Sequence, residues 1–251
     1  MWVLRFNNGV TSAGFAIDAE QFPLATSLSV EQEWRSWLNR YPSVRGLFER
    51  AEVVDPPGRL IRSGILPRRA ARAAGDDWAL LPHTAGFVDP LHSTGIAHSL
   101  CGVERLMNIF LTESNTGGLG EALHDYERAV FGELVLMDRL VHGCYRALAD
   151  FRLFVAYSML YFAAATRYEQ QRMRTTSGQD HWFLCADDHE FCRMVEAFHS
   201  RVVSLGSRRR QASSAEIESF ETDLATSIRP YDHVGLCDPE VRNMYRYTAT
   251  S

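Results

Sequence analysis

The sequence predicts an α+β fold: a small β-rich N-terminal third, then a mainly helical remainder. Three observations carry this. Residues 2–18 alternate about Asn8-Gly9, a dipeptide that favours a hairpin turn. After Pro90 the apolar spacing becomes helical. No internal repeat or low-complexity segment interrupts the change. At 46% apolar and 23% charged residues the 251-residue chain is ordinary globular protein, which excludes disordered, collagen-like and coiled-coil readings.

In chain order, Ser29-x-x-Gln32 reads as a capping box, with Val30, Trp34, Trp37, Leu38 and Tyr41 on one helical face and Pro42 as the stop. Residues 44–52 read as a short helix, and Asp55-Pro56-Pro57-Gly58 as a turn. Leu60–Leu66 and Trp78–Leu81 read as short strands around an Arg-rich loop. Ile96, Leu100, Val103, Met107 and Phe110 predict a core-facing helix from near Ser93, broken at Thr116-Gly117-Gly118. Two long helices follow over 120–149 and 151–172; the second is apolar nearly all round, with Phe151, Phe154, Tyr157 and Phe162 read as core. Asp187-x-x-Glu190 is expected to cap a helix ending near Leu205-Gly206, and Ser213-x-x-Glu216 another that ends before Pro230.

Charge and composition narrow the chemistry. The net charge is −5, so no field draws nucleic acid or an anionic membrane. All 26 basic residues are arginine. A chain without lysine has no P-loop, no Schiff-base lysine and no Ser-x-x-Lys nucleophile. Five widely spaced cysteines read as reduced thiols. Residues 1–9 lack a basic and then apolar leader pattern, and the apolar run Leu153–Ala165 is too short to span a bilayer. A cytoplasmic protein is the expectation.

The densest segment is 78–100. A glycine-bearing loop followed by Ser93-Thr94-Gly95 at a helix start presents bare N–H groups to an anion or an electron-rich cofactor edge. His92 and His98, six residues apart, do not share a helix face, and Cys185, His189 and Cys192 are not spaced as a zinc set, so no metal is read. Gly117-Gly118-Leu119-Gly120 is not a dinucleotide fingerprint, and there is no Gly-x-Ser-x-Gly or Cys-x-x-Cys.

The run Gly86-Phe87-Val88-Asp89-Pro90-Leu91-His92-Ser93-Thr94-Gly95-Ile96-Ala97 resembles the second flavin-binding motif of the flavin-dependent tryptophan halogenases, within the FAD monooxygenases and reductases of p-hydroxybenzoate hydroxylase fold. Trp2-Val3-Leu4-Arg5 and the residues after it look like the same family's central motif and following strand. The resemblance implies that Gly86, Phe87, Asp89 and Pro90 shape the flavin pocket and that Ser93, Thr94 and Gly95 bring N–H groups to the isoalloxazine. Thr94 and Gly95 would also hold a halide. Residues 1–112 are then a partial substrate-domain sheet with the flavin loop and helix, and 113–251 the helical C-terminal region.

The chain departs from the family at named positions. Pro82-His83 replaces the Gly-Asp whose Asp binds the cofactor polyol, Leu4-Arg5 replaces Ile-Pro, and His92 replaces the catalytic Glu before Ser-Thr-Gly. His92 is thus the candidate catalytic residue. The Gly-x-Gly-x-x-Gly domain of the family has no counterpart. The reading is the C-terminal portion of an FAD-dependent oxidoreductase of the halogenase or monooxygenase type, separated from its adenosine-binding half and holding FAD weakly. Its expected partners are a small aromatic or other organic substrate, halide, a supply of reduced flavin, and either the missing FAD domain or a second copy. The alternative is a non-catalytic helical binding module with a decayed flavin loop.

Overall fold

The computed structural model describes residues 1–17, 22, 27–55, 57–64, 66–113, 117–174, 181–206, 212–238, 240 and 241. The chain forms two units, Met1–Gly64 and Ile65–Ser251.

In the first unit, β1 (Trp2–Arg5) pairs antiparallel with β2 (Thr11–Gly14), Arg5 opposite Thr11 and Trp2 opposite Gly14. The hairpin is the expected one, but its loop runs over residues 6–10 rather than two residues. Gly9 takes the left-handed conformation at φ +82°, and the Asn8 side chain accepts the Val10 N–H at 3.0 Å. The Trp2 ring lies over Gly14, where a Cβ would come within 2.2 Å of a ring carbon. α1 (Val30–Arg40) begins at the complete Ser29/Gln32 capping box and carries Trp34 and Trp37 onto Phe15, with centroids 5.1 and 6.1 Å away. Pro42 does more than stop α1: it opens α2 (Pro42–Arg45) at a first-turn position, where its missing N–H is no loss. A 3₁₀ turn follows at Gly46–Phe48. In the expected 55–58 turn Gly58 has φ +68°, while Pro56 lies outside the described residues.

The second unit contains β3 (Arg68–Arg69), α3 (Pro82–Ala85), β4 (Gly86–Phe87), α4 (Gly95–Glu113), α5 (Leu119–Ala147), α6 (Phe151–Arg174), α7 (His189–Leu205) and α8 (Ser214–Ile228). α5 is central, packing against α4, α6 and α7, and α6 packs on α8. Tyr126, Leu140, Tyr157, Leu160, Phe191 and Phe220 are fully buried in the core. The fold is α+β with a helical bulk, as the sequence predicts.

Several expectations are corrected. Described residues in 60–66 form no strand, and Trp78–Leu81 reduces to one bridge, Ala74 with Ala79. The two-residue ladder instead joins Arg68–Arg69, within the Arg-rich loop, to Phe87 and Gly86. The cap of α7 is Asp188, not Asp187; its carboxylate accepts the Glu190 and Phe191 N–H groups at 2.9 Å. Phe151 is 77% exposed because it stands at the first turn of α6, beyond the packed layer.

The largest correction concerns α4. Ile96, Leu100, Val103, Met107 and Phe110 face outward, Ile96 at 78% and Leu100 at 63% exposure. The inner face is built from His98, Gly102, Arg105 and Leu106. Gly102 lets Pro82 come so close that a Cβ would meet it at 2.3 Å. His98 and Arg105 are buried because Glu133 of α5, 1% exposed, accepts from both, at 2.8 and 2.9 Å, and from the Phe183 N–H at 2.7 Å. A charged residue enters a core only when paired in this way. No helix among the described residues is long and apolar enough to cross a membrane.

Candidate functional site

The site grows out of the β4-to-α4 connection. Gly86 sits where β4 passes the Leu134 side chain; a Cβ would lie 2.4 Å from it, so any larger residue would have to displace Leu134. Phe87 is flanked by the His83 ring, centroids 5.1 Å apart, and by the Arg68 guanidinium at 5.3 Å. The Asp89 carboxylate closes a local turn by accepting the Leu91 N–H at 2.8 Å, and it accepts the Tyr145 hydroxyl at 2.8 Å. The Pro90 carbonyl accepts the Ser93 N–H at 2.9 Å.

Ser93 then adopts φ +54°, a left-handed conformation uncommon in a residue other than glycine. α4 begins two residues later, at Gly95. The Thr94 carbonyl accepts the His98 N–H at 2.9 Å, and Gly95 is the first helical residue. The first N–H groups of a helix have no partner within it and carry its positive dipole end, so residues 94–96 offer donors to an anion or an electron-rich ring edge. Gly95 keeps the approach narrow: a Cβ would stand 2.8 Å from His83 Nδ1.

His92 lies on the inner side of the loop. Its ring stacks on Tyr161 of α6, centroids 4.0 Å apart and planes 5° from parallel, and its Nε2 is 3.6 Å from Cys144 Sγ. The Tyr161 hydroxyl donates to the His92 carbonyl at 3.3 Å. Burial lowers the imidazole to about 4, against the opposing charge of Asp89, so His92 is neutral at physiological pH. Burial likewise pushes the Cys144 thiol up to about 11, leaving it un-ionised.

Asp89, His92 and Thr94 therefore line one small cleft, closed by Val88, Met137, Leu140, Val141 and Tyr161. Gly86 and Phe87 belong to its β4 edge, Ser93 is exposed at the turn, and Gly95 stands beside His83. Sequence reasoning missed Tyr145 and Tyr161, which reach the loop from helices more than fifty positions away. One signal was present: a tyrosine within an almost wholly apolar helix must find a partner for its hydroxyl. Among the described residues no group of three or more His, Cys, Asp or Glu is arranged to hold a metal ion.

No family model matches the chain. It is 27% identical over 240 residues to monodechloroaminopyrrolnitrin halogenase PrnC of Pseudomonas fluorescens, a match covering 86% of this chain and 41% of that protein. It is 32% identical over 105 residues to tetracycline 7-halogenase of Kitasatospora aureofaciens, covering 39% of this chain and 18% of that protein. The crystal structure of halogenase PltM superposes with a TM-score of 0.71 at 21% identity, covering 92% of this chain and 49% of that one. A PltM variant in complex with FAD gives the same TM-score and coverage. Flavin-dependent halogenase homologues thus cover most of the chain, and the chain spans less than half the length of the curated relatives it matches.

Proposed function

We propose that this chain forms the flavin-contact loop and helical bulk of an FAD-dependent oxidoreductase of the halogenase or monooxygenase type. The observation that supports this most is the left-handed turn at Ser93, which delivers Thr94 and Gly95 to the start of α4 with their N–H groups uncommitted to the helix. The residues present suit one edge of a flavin, with donors at the helix start and no side chain at Gly95. Gly86, Phe87, Asp89 and Pro90 shape the seat, Ser93, Thr94 and Gly95 face the isoalloxazine, and Thr94 and Gly95 also face a halide. FAD, when bound in the complete enzyme, supplies the electrons that activate O₂.

His92 occupies the position before Ser-Thr-Gly where the resembling halogenases carry a glutamate. Its conjugate acid is as strong as a carboxylic acid, so base strength is not what distinguishes it; direction is. Nε2 is turned toward Cys144 and one ring face is covered by Tyr161. Removing the proton left by attack on an unactivated indole carbon therefore has a poorer acceptor than a free carboxylate. The substrate we propose is a small aromatic of higher electron density than indole, such as a phenol or pyrrole. The names of the matched halogenases, which specify tetracycline and monodechloroaminopyrrolnitrin, support a substrate other than free tryptophan.

The flavin-carrying part is proposed to pack on the outward apolar face of α4, beside the loop it serves. The test joins the chain to an FAD domain of the halogenase type and supplies reduced flavin, chloride and O₂. Chlorination of a phenol or pyrrole, altered in rate or product by His92→Ala and His92→Glu, is the expected result. Robust chlorination of tryptophan would overturn the substrate proposal, and indifference to His92→Ala the role of His92.

A further inference from the structure

The turn before α4 is held by more than its own segment. Between Asp89 and Thr94 the segment makes the local Asp89–Leu91 and Pro90–Ser93 bonds, and Ser93 holds a left-handed conformation that a residue other than glycine seldom adopts. Such a conformation persists only when surrounding structure over-determines it. Two tyrosines from the helical region supply that constraint from opposite ends. Tyr145, on α5, bonds the Asp89 carboxylate at 2.8 Å before the turn. Tyr161, on α6, bonds the His92 carbonyl at 3.3 Å and covers the His92 ring immediately before Ser93.

We propose that Tyr145 and Tyr161 are positioning residues, which fix the Asp89–Thr94 turn so that the N-terminus of α4 presents its amides to the flavin. The helical C-terminal region thereby acts on the flavin site without touching the cofactor. This rests on the flavin reading given above. The two tyrosines divide the work. Tyr145 orients the carboxylate that starts the turn. Tyr161 seats the imidazole whose backbone carbonyl precedes the strained residue, so its ring and its hydroxyl act on the same residue. The aromatic stack is the larger contact surface, and the hydroxyl sets the register of the carbonyl beneath it.

The experiment uses the full chain and its Tyr145→Phe, Tyr161→Phe and Tyr161→Leu variants. Amide hydrogen exchange is followed by NMR at residues 91–97 and in the cores of α5 and α7. Loss of the neutral Tyr161 bond is expected to speed exchange at 91–97 by roughly fivefold in Tyr161→Phe, and loss of the bond to the Asp89 carboxylate to speed it by more in Tyr145→Phe, with the α5 and α7 amides unchanged. The His92 ring resonances supply a readout that general loosening of the fold would not reproduce. In Tyr161→Leu the imidazole should titrate at higher pH than in wild type, and Tyr161→Phe, which keeps the stack, should restore most of the wild-type behaviour. Titration with FMN should give amide shifts at 86–96 that are reduced at equal ligand in all three variants. Unchanged exchange at 91–97 in both Phe variants overturns the positioning role, as does a His92 titration indifferent to Tyr161→Leu. Failure of wild type to respond to FMN at 86–96 overturns the flavin reading instead, so the two failures are distinguishable.

Discussion

The imidazole of His92 lies flat on the phenol of Tyr161, centroids 4.0 Å apart and planes 5° from parallel. The stack joins the loop before α4 to the third long helix, and it explains why His92 is uncharged. A cation there would lose hydration that a ring face and a thiol do not replace.

This has a consequence for stability. The folded His92 is depressed to about 4, below the ordinary histidine value of 6.5. As pH falls through 6.5 the unfolded chain takes up a proton that the folded chain refuses, so stability declines between about pH 6.5 and 4 and this contribution levels off below. Urea unfolding at a series of pH values should show the decline in wild type and a flatter profile in His92→Gln. Parallel profiles over that window would contradict it.

Glu133 should be the most sensitive single polar position. Burial on its own would raise this carboxyl, but the bond to His98 and the charge of Arg105 outweigh it and hold Glu133 below the usual carboxylate range. Its contribution is complete above the ordinary carboxylate value and is lost progressively as pH falls from there through the lowered one. Glu133→Gln removes the buried negative charge that Arg105 and His98 share, and should cost about 3–5 kcal/mol in chemical denaturation. A loss below about 1 kcal/mol would show that the pair is not buried in solution.

The outer face of α4 should drive association. Leu100 is 63% and Met107 53% exposed on a continuous apolar stripe, as monomeric surfaces seldom are. Light scattering after size exclusion should show mass rising with concentration, and Leu100→Glu with Met107→Glu should abolish the rise while changing stability by no more than about 0.5 kcal/mol each. A wild type that stays monomeric at high concentration would contradict self-association through this face.

Gly95→Ala separates stability from function at one atom. Gly95 is the first residue of α4, where alanine gains less than its helix-interior advantage over glycine of roughly 0.5–1 kcal/mol, and the new Cβ would meet the movable ring of His83 at Nδ1 rather than backbone. The melting temperature should hold or rise, while the response of the 94–96 amides to flavin falls. A variant that melts lower and binds flavin as well as wild type would contradict this.

The parts of the fold legible in the sequence were those written locally. The Asn8-Gly9 hairpin, the Ser29 and Ser213 caps and the spans of α5 and α6 each follow from a short pattern with a physical cause. The facing of α4 was not legible. Its helix carries apolar residues on one face and His98, Gly102 and Arg105 on the other, and periodicity assigns the apolar face to the core. What reverses it is Glu133, a distant carboxylate whose burial turns two polar side chains inward. The loop at 86–95 was legible as a contiguous motif, whereas Tyr145 and Tyr161 enter through tertiary packing that no local pattern encodes.

The claim that Gly86–Gly95 is a flavin-contact loop is tested most directly by adding FMN to isotopically labelled chain and following every assigned amide. The expected result is weak, saturable binding in the millimolar range, with the largest shifts at Gly86–Ile96 and little change in α7 and α8. Shifts that cluster elsewhere, or no shift at 86–96 at saturating flavin, would contradict it.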